Sequence, residues 1–275
     1  MLNWASINMM TFHPDKCKVL AIANGRRPEN DFIYSMSERP LEYTNLEKDL
    51  GVHVNGKLSW TEHCEILYSK ASQKLGLLIR TCSFVPNLRK RRSLYLSLVR
   101  SQFEHCAIIW RPLNKSTLDK LDALQKRALK WVINKPYDSL TNLGDYYRVC
   151  KQVNILPFSP RFDYKDLMFF HSVYYSYSTT KFPSYLAKFT QSRLRTSHYD
   201  SLSIVSDIQP RVPQNLSTDR SNMGIAKSYF YRAHLLWNAL PFEIRDIGAP
   251  SKFKVALLDH LWGNVSETIK QEFAF

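Results

Sequence analysis

Glycine is scarce in this chain, with 8 in 275 residues, and no segment is rich in glycine and serine. With 44% hydrophobic residues, a wholly disordered chain is a poor reading and a real core can form. No Gly-rich phosphate loop, Gly-x-Ser-x-Gly elbow or His-Glu-x-x-His helix occurs, so the enzyme classes built on those motifs have no foothold. Cys-x-x-Cys is also missing. The five cysteines, Cys17, Cys64, Cys82, Cys106 and Cys150, are odd in number and widely spaced. That excludes a secreted disulfide framework and favours free thiols in a reducing compartment. The first twelve residues lack the basic start of a secretory signal. No apolar run approaches the ~20 residues a membrane helix needs. A soluble intracellular protein, nuclear or cytoplasmic and not secreted, is the expectation.

Acidic residues are in deficit: 24 Asp and Glu face 38 Lys and Arg, a net charge of +14. Such an excess points to a polyanion, nucleic acid before an anionic membrane surface. A basic protein without such a partner is the plainer alternative. The charge is concentrated. From Pro86 to Lys135, twelve Lys/Arg stand against three Asp/Glu, a net of +9.

The hydrophobic pattern predicts an α+β chain, with strands near the N-terminus and mostly helices afterwards. Leu2 to Met10 reads as a short helix with Trp4, Ile7 and Met10 on one stripe. Cys17 to Ile22 and Asp31 to Met36 are β-prone. Asn55-Gly56 is the favoured pair for a type I′ turn, in which both central residues need positive φ. It predicts a hairpin with arms Asp49 to Val54 and Lys57 to Trp60. After Trp60 the period changes from two to about 3.6. A helix capped by Thr61 should run to about Arg80 with Leu67, Ala71, Leu75 and Leu78 on one face. The next should run from Pro86-Asn87 to about Trp110, with Leu94, Leu98 and Phe103 inward. A third, capped by Ser116 or Thr117, should bury Leu118, Leu121, Leu124, Ala128 and Val132. Further helices are expected over Asp163 to Tyr177, Gly224 to Leu240 and Ser251 to Trp262, the last burying Phe253, Leu257 and Leu261. Residues 191–222 read as an irregular connection.

Arg89-Lys90-Arg91-Arg92 is the sharpest basic cluster. It falls near a helix N-terminus, where cations oppose the macrodipole. Two readings stand: phosphate contact, or a solvated or nuclear-localisation-like patch. Lys126, Arg127 and Lys130 close a helix, where positive charge complements the dipole, so their first reading is structural and phosphate contact is a second use. Lys70 and Lys74 either line the same groove or form a wet helix face. His63-Cys64 and His105-Cys106 lack the spacing of a zinc site, so no metal is expected. Tyr174-Tyr175 and Tyr229-Tyr231 are the candidates for exposed, base-stacking aromatics.

Several segments, in order, resemble non-LTR (LINE-type, jockey-like) retrotransposon reverse transcriptases. Trp4 to Leu20, with Pro14-Asp15-Lys16-Cys17-Lys18-Val19, resembles the helix–turn–strand after the catalytic palm motif. Glu47 to Trp60, then Glu62-His63, resembles the palm–thumb junction. Leu75 to Arg80 and Leu94 to His105 resemble thumb helices, continued by Trp110-Arg111-Pro112 and Leu121 to Ala128. Leu156-Pro157 with Arg161, then Phe230, Arg232, Trp237, Asn238, Leu240 and Pro241, resemble the C-terminal extension. The resemblance implies three parts: a palm-end remnant over 1–60, a thumb-like helical bundle over 61–135, and a mainly helical extension over 136–275. It gives Leu50, Gly51, Val52, His53, Val54 and Trp60 a primer-grip-like role.

The departure from that pattern is decisive for activity. The family holds two Mg²⁺ on a strand-borne Asp and a Tyr-x-Asp-Asp turn. No Asp-Asp dipeptide exists in this chain, and the fingers and most of the palm would lie before Met1. The expectation is a truncated RNA-directed DNA polymerase, inactive alone and without cofactor. It would grip RNA, RNA–DNA hybrid or DNA through backbone phosphates, with no membrane partner. Its surface toward the missing palm is expected to be apolar and to favour self-association. The alternative, of another class, is a decayed or repurposed interaction remnant without nucleic-acid function.

Overall fold

The computed structural model describes residues 2–22, 32–36, 38–135, 140, 142–182, 186–188, 208–210 and 228–272. The fold is α+β, as the hydrophobic pattern predicts: the described residues hold four small two-stranded sheets, three of them before residue 56, and otherwise mostly helices. No helix among the described residues is long and apolar enough to cross a membrane.

The chain opens with α1 (Leu2–Ile7) and a 3-10 turn at Pro14–Lys16. The expected apolar stripe on α1 faces the wrong way: Trp4, Ile7 and Met10 are exposed, and Ala5 is the buried residue. Strand β1 (Lys18–Leu20) pairs in parallel with β4 (Glu42–Thr44). Strands β2 (Ser35–Met36) and β3 (Arg39–Pro40) form a small antiparallel pair between them.

The hairpin forms one turn earlier than Asn55-Gly56 predicts. Its strands are β5 (Leu46–Asp49) and β6 (Val52–Asn55), with Asp49 opposite Val52. Leu50 and Gly51 make the two-residue turn, both at positive φ, +45° and +91°. Asn55 instead ends the strand. Its side-chain Oδ1 accepts from the main-chain N–H of Lys57 at 3.2 Å and of Ser59 at 2.8 Å, a local turn that steers the chain into the next helix. Gly56 serves close approach: a Cβ there would lie 2.5 Å from the Ala21 carbonyl oxygen. Lys57 to Trp60 is therefore a connection and not a strand.

Helix α2 (Thr61–Thr81) buries Ala71, Leu75 and Leu78, the face its 3.6-residue period predicts. Asn87 caps α3 (Leu88–Leu98), accepting from the N–H of Arg89 and Lys90. The single long helix expected from residue 86 to 110 is broken. It gives way to a 3-10 turn at Arg100–Phe103, then to Cys106 at φ +49°, then to the short α4 (Ala107–Trp110). The break turns Trp110 fully into the core, while Leu98 stays exposed. Helix α5 (Lys115–Ile133) is capped by Asn114, one position before Lys115, in place of Ser116 or Thr117. A helix not foreseen, α6 (Leu143–Gln152), is capped by Asn142.

Helix α7 (Phe158–Tyr174) joins two hydrophobic cores. Phe158 and Phe162 lie in the first, with Val52, Leu75, Tyr95, Trp110, Leu121 and Val132. Leu167, Phe170 and Tyr174 lie in the second. There they meet Trp237 of α8 (Tyr229–Asn238) and Phe253, Leu257 and Leu261 of α10 (Pro250–Glu272). The short α9 (Phe242–Arg245) lies between those helices in the chain. The expected irregular connection over 191–222 lies outside the described residues, except Ile208–Pro210. That segment forms β8 and pairs with β7 (Leu186–Lys188).

Candidate nucleic-acid interface

The four-residue basic cluster divides in two. Arg89 and Lys90 are exposed and make no ion pair among the described residues. Arg91 turns inward and is only 4% exposed. Its guanidinium donates to the carbonyl oxygens of Val85, Trp131 (2.7 Å) and Ser83 (3.0 Å) and to Asn134 Oδ1 (2.8 Å). Arg92 donates to the carbonyl oxygens of Val153 at 2.6 Å and Asn154 at 3.0 Å. The phosphate-contact reading is corrected for these two residues. Their donors satisfy main-chain oxygens at the ends of distant elements, as buried polar groups require. One turn of helix sends neighbouring side chains to opposite sides, and a run of basic letters does not show which.

The cations of α5 also differ among themselves. Lys126 places its ammonium 5.1 Å from the centre of the Tyr146 ring, a cation–π contact that fixes it against α6. Lys130 is half-buried, and Arg127 is exposed. On α2, Lys70 and Lys74 are exposed. Arg80, also exposed, was not among the residues predicted to bind. It and Arg127 converge on Gly76: a Cβ there would lie 3.5 Å from Arg127 Nη2 and 3.6 Å from Arg80 Nη1. The one available sequence signal was a glycine in mid-helix, which costs about 1 kcal/mol relative to alanine.

The hairpin residues are mostly committed inside. Val52 is 5% exposed and belongs to the first core, and Val54 and Trp60 pack on it. This corrects the primer-grip-like role for the side chains of Val52, Val54 and Trp60, because they pack into the first core. Leu50 at the tip is 86% exposed. His105 holds the tip, its Nε2 lying 2.8 Å from the Leu50 carbonyl oxygen. His53 pairs with His63: the His53 main-chain N–H donates to His63 Nδ1 at 3.2 Å, and the two Nδ1 atoms are 3.3 Å apart. Nδ1 of His63 is therefore the acceptor and carries no proton. Burial, then the charges of His53, Lys70 and His105, hold the His63 pKa down at about 4.

The expected stacking tyrosines are not free surfaces. Tyr174 is buried in the second core. Tyr175 donates its hydroxyl to the Arg245 carbonyl and Tyr229 to that of Asp166. Between the cores, buried Asp166 accepts from Arg111 at 2.7 Å and Arg232 at 2.8 Å. No three of the described His, Cys, Asp and Glu residues converge to hold a metal ion.

Exposed cations among the described residues include Lys70, Lys74 and Arg80 on α2, Arg89 and Lys90 on α3, and Arg127 on α5. No salt bridge within the described residues reaches any of them. Glu62 and Glu65 on α2 and Asp119 on α5 are exposed, whereas two other acids are engaged inside: Asp122 accepts from Tyr146 at 2.6 Å and from the Phe158 N–H at 3.2 Å. Glu104 pairs with Arg161 and Lys165 at 2.8 Å each. No family model, no curated protein and no solved structure matches this chain.

Proposed function

We propose that this chain is a nucleic-acid-binding remnant of a non-LTR retrotransposon reverse transcriptase, gripping RNA, RNA–DNA hybrid or DNA by its backbone phosphates without polymerising it. The observation that carries the reading is the set of exposed cations on α2, α3 and α5 that no salt bridge within the described residues reaches. Such a surface neutralises phosphates and releases counterions, giving affinity that depends on salt and not on base sequence. The ordered segments from Trp4 to Pro241 that resemble the reverse transcriptases support the same reading. With no Asp-Asp pair to hold Mg²⁺, the chain has no means to activate a primer hydroxyl.

The test is a salt titration of binding to a fluorescent RNA–DNA duplex. Engagement of about four phosphates gives a slope of log K against log salt of roughly −3.5. Arg89→Ala with Lys90→Ala should lower affinity for all sequences equally and reduce the slope by about two. Binding that is absent at low salt, or insensitive to salt, would leave the second reading: a folded remnant whose basic residues, like Arg91 and Arg92, serve the structure. The same proposal extends to self-association through the apolar residues exposed near the N-terminus, Trp4, Ile7, Met9, Phe32, Ile33 and Leu50.

A further inference from the structure

The geometry points to a phosphate clamp made by Arg80 of α2 and Arg127 of α5 across Gly76, and we assign to it one phosphodiester group of a bound nucleic-acid strand. The inference rests on the nucleic-acid reading above and names a subsite within it.

Three observations meet at this spot. The first is convergence. Arg80 lies four residues after Gly76, on the same face of α2, and Arg127 reaches over from the adjacent helix. Arg127 Nη2 and Arg80 Nη1 lie within 3.6 Å of the single point that a Cβ on Gly76 would occupy. Two cations that approach one point from different helices raise the positive potential there, which favours an anion at that point. The second is the lack of any internal anion. Neither arginine has a salt bridge within the described residues, whereas Arg100, Arg111, Arg161 and Arg232 all have carboxylate partners.

The third is the glycine itself. Gly76 lies inside a 21-residue helix, where glycine is the poorest helix former apart from proline. Packing does not require it. The only atoms near its missing Cβ are those two guanidinium ends, both at ordinary van der Waals distance. A side chain would fit sterically, but it would fill the space between the cations. An oxygen placed there reaches donors from both arginines. Guanidinium groups suit phosphate oxygens because their N–H donors form a planar fork.

The clamp is tested by putting a carboxylate in the space assigned to phosphate. Gly76→Glu and Gly76→Gln match in size and helix propensity and differ in charge. Thermal unfolding and duplex binding are measured on both, on wild type, and on Arg80→Gln with Arg127→Gln. Gly76→Glu should unfold several degrees above Gly76→Gln, because its carboxylate pairs with both arginines. It should bind the RNA–DNA duplex about tenfold more weakly than Gly76→Gln, with a salt slope smaller by about one. In the double arginine variant the thermal difference between Glu and Gln at position 76 should vanish, and duplex affinity should fall by a similar factor. Inorganic phosphate at matched ionic strength should compete only weakly, since it lacks the neighbouring phosphates of a strand. Strong competition would assign the clamp to free phosphate and overturn the strand assignment. Equal melting and equal binding of the Glu and Gln variants would overturn the clamp. If wild type binds the duplex and every variant binds as well, the clamp falls and the nucleic-acid reading stands. If wild type does not bind, both fall.

Discussion

Arg91, at the start of α3, donates a 2.7 Å hydrogen bond to the main-chain oxygen of Trp131, near the end of α5 and 40 residues away. The same guanidinium also holds Ser83, Val85 and Asn134. It ties the exit of α2, the entry of α3 and the exit of α5 to one planar group. One arginine thus supplies donors to main-chain oxygens from three segments that meet at this junction.

Replacing Arg91 with Ala should therefore lower stability by about 2 kcal/mol, because one buried and two part-buried carbonyl oxygens lose this donor. Arg91→Lys should recover little, since an ammonium cannot span the same fork. Arg89→Ala should change stability by no more than about 0.5 kcal/mol. Urea unfolding midpoints measure all three, and equal midpoints for Arg89→Ala and Arg91→Ala would contradict the division of the cluster.

Leu50 is held at φ +45° while its side chain lies in solvent. Leu50→Asn gives the turn the residue that tolerates this backbone, and it should raise stability by about 1 kcal/mol. Gly51→Val should lower it by about 2 kcal/mol, because a β-branched residue resists φ +91°. A Leu50→Asn protein no more stable than wild type would argue against a turn at Leu50-Gly51.

Stability should decline as pH falls from about 6.5 to about 4, by roughly 2 kcal/mol from His63 alone. The unfolded His63 takes up a proton near its ordinary value, while the folded one resists until about 4. The stability it contributes is thus complete above 6.5 and lost on acidification through that window. His53, His171 and His234 are also held below the ordinary value, first by burial, and act in the same direction. Unfolding midpoints from pH 7.5 to 4.5, about the span in which histidine titrates, should show a shallower profile for His63→Gln. An unchanged profile would remove His63 from the account.

Asp166, 1% exposed, accepts from both Arg111 and Arg232. Asp166→Asn keeps the shape but removes the carboxylate of Arg232 and leaves Arg111 with Asp163 alone, at 2.7 Å, and it should cost about 3 kcal/mol. Because Arg232 also donates to the Ile108 carbonyl, this group links α8 to the α4 region. Amide exchange should accelerate in α8 before it does in α2. Uniform acceleration across the chain would count against a local link.

The helices after Trp60 were legible because a helix repeats on its own neighbours. The stripe Ala71, Leu75, Leu78 is visible in the letters and buried in the structure. The hairpin was half legible. Its existence and the strand up to Val54 are legible, but Asn55-Gly56 points to a turn five residues after the one formed by Leu50-Gly51. The close approach of Ala21 to Gly56, 35 residues apart in sequence numbering, decided between them. The long helix expected over residues 86–110 failed because nothing local marks Cys106 for a left-handed backbone. The exposed stripe on α1 likewise reads as core from its period alone.

The sequence by itself determined the class of fold, the main apolar helical faces and a cationic excess concentrated after Pro86. These follow from composition and short-range periodicity, which a chain carries with it before it folds. Tertiary structure alone decided that Arg91 and Arg92 are internal ties, that Arg89 and Lys90 remain outside, and that Arg80 meets Arg127 over Gly76. Those assignments depend on partners 40 to 62 residues distant for the internal pair and on the approach of one helix to another. Only the packed chain brings such groups within hydrogen-bonding range.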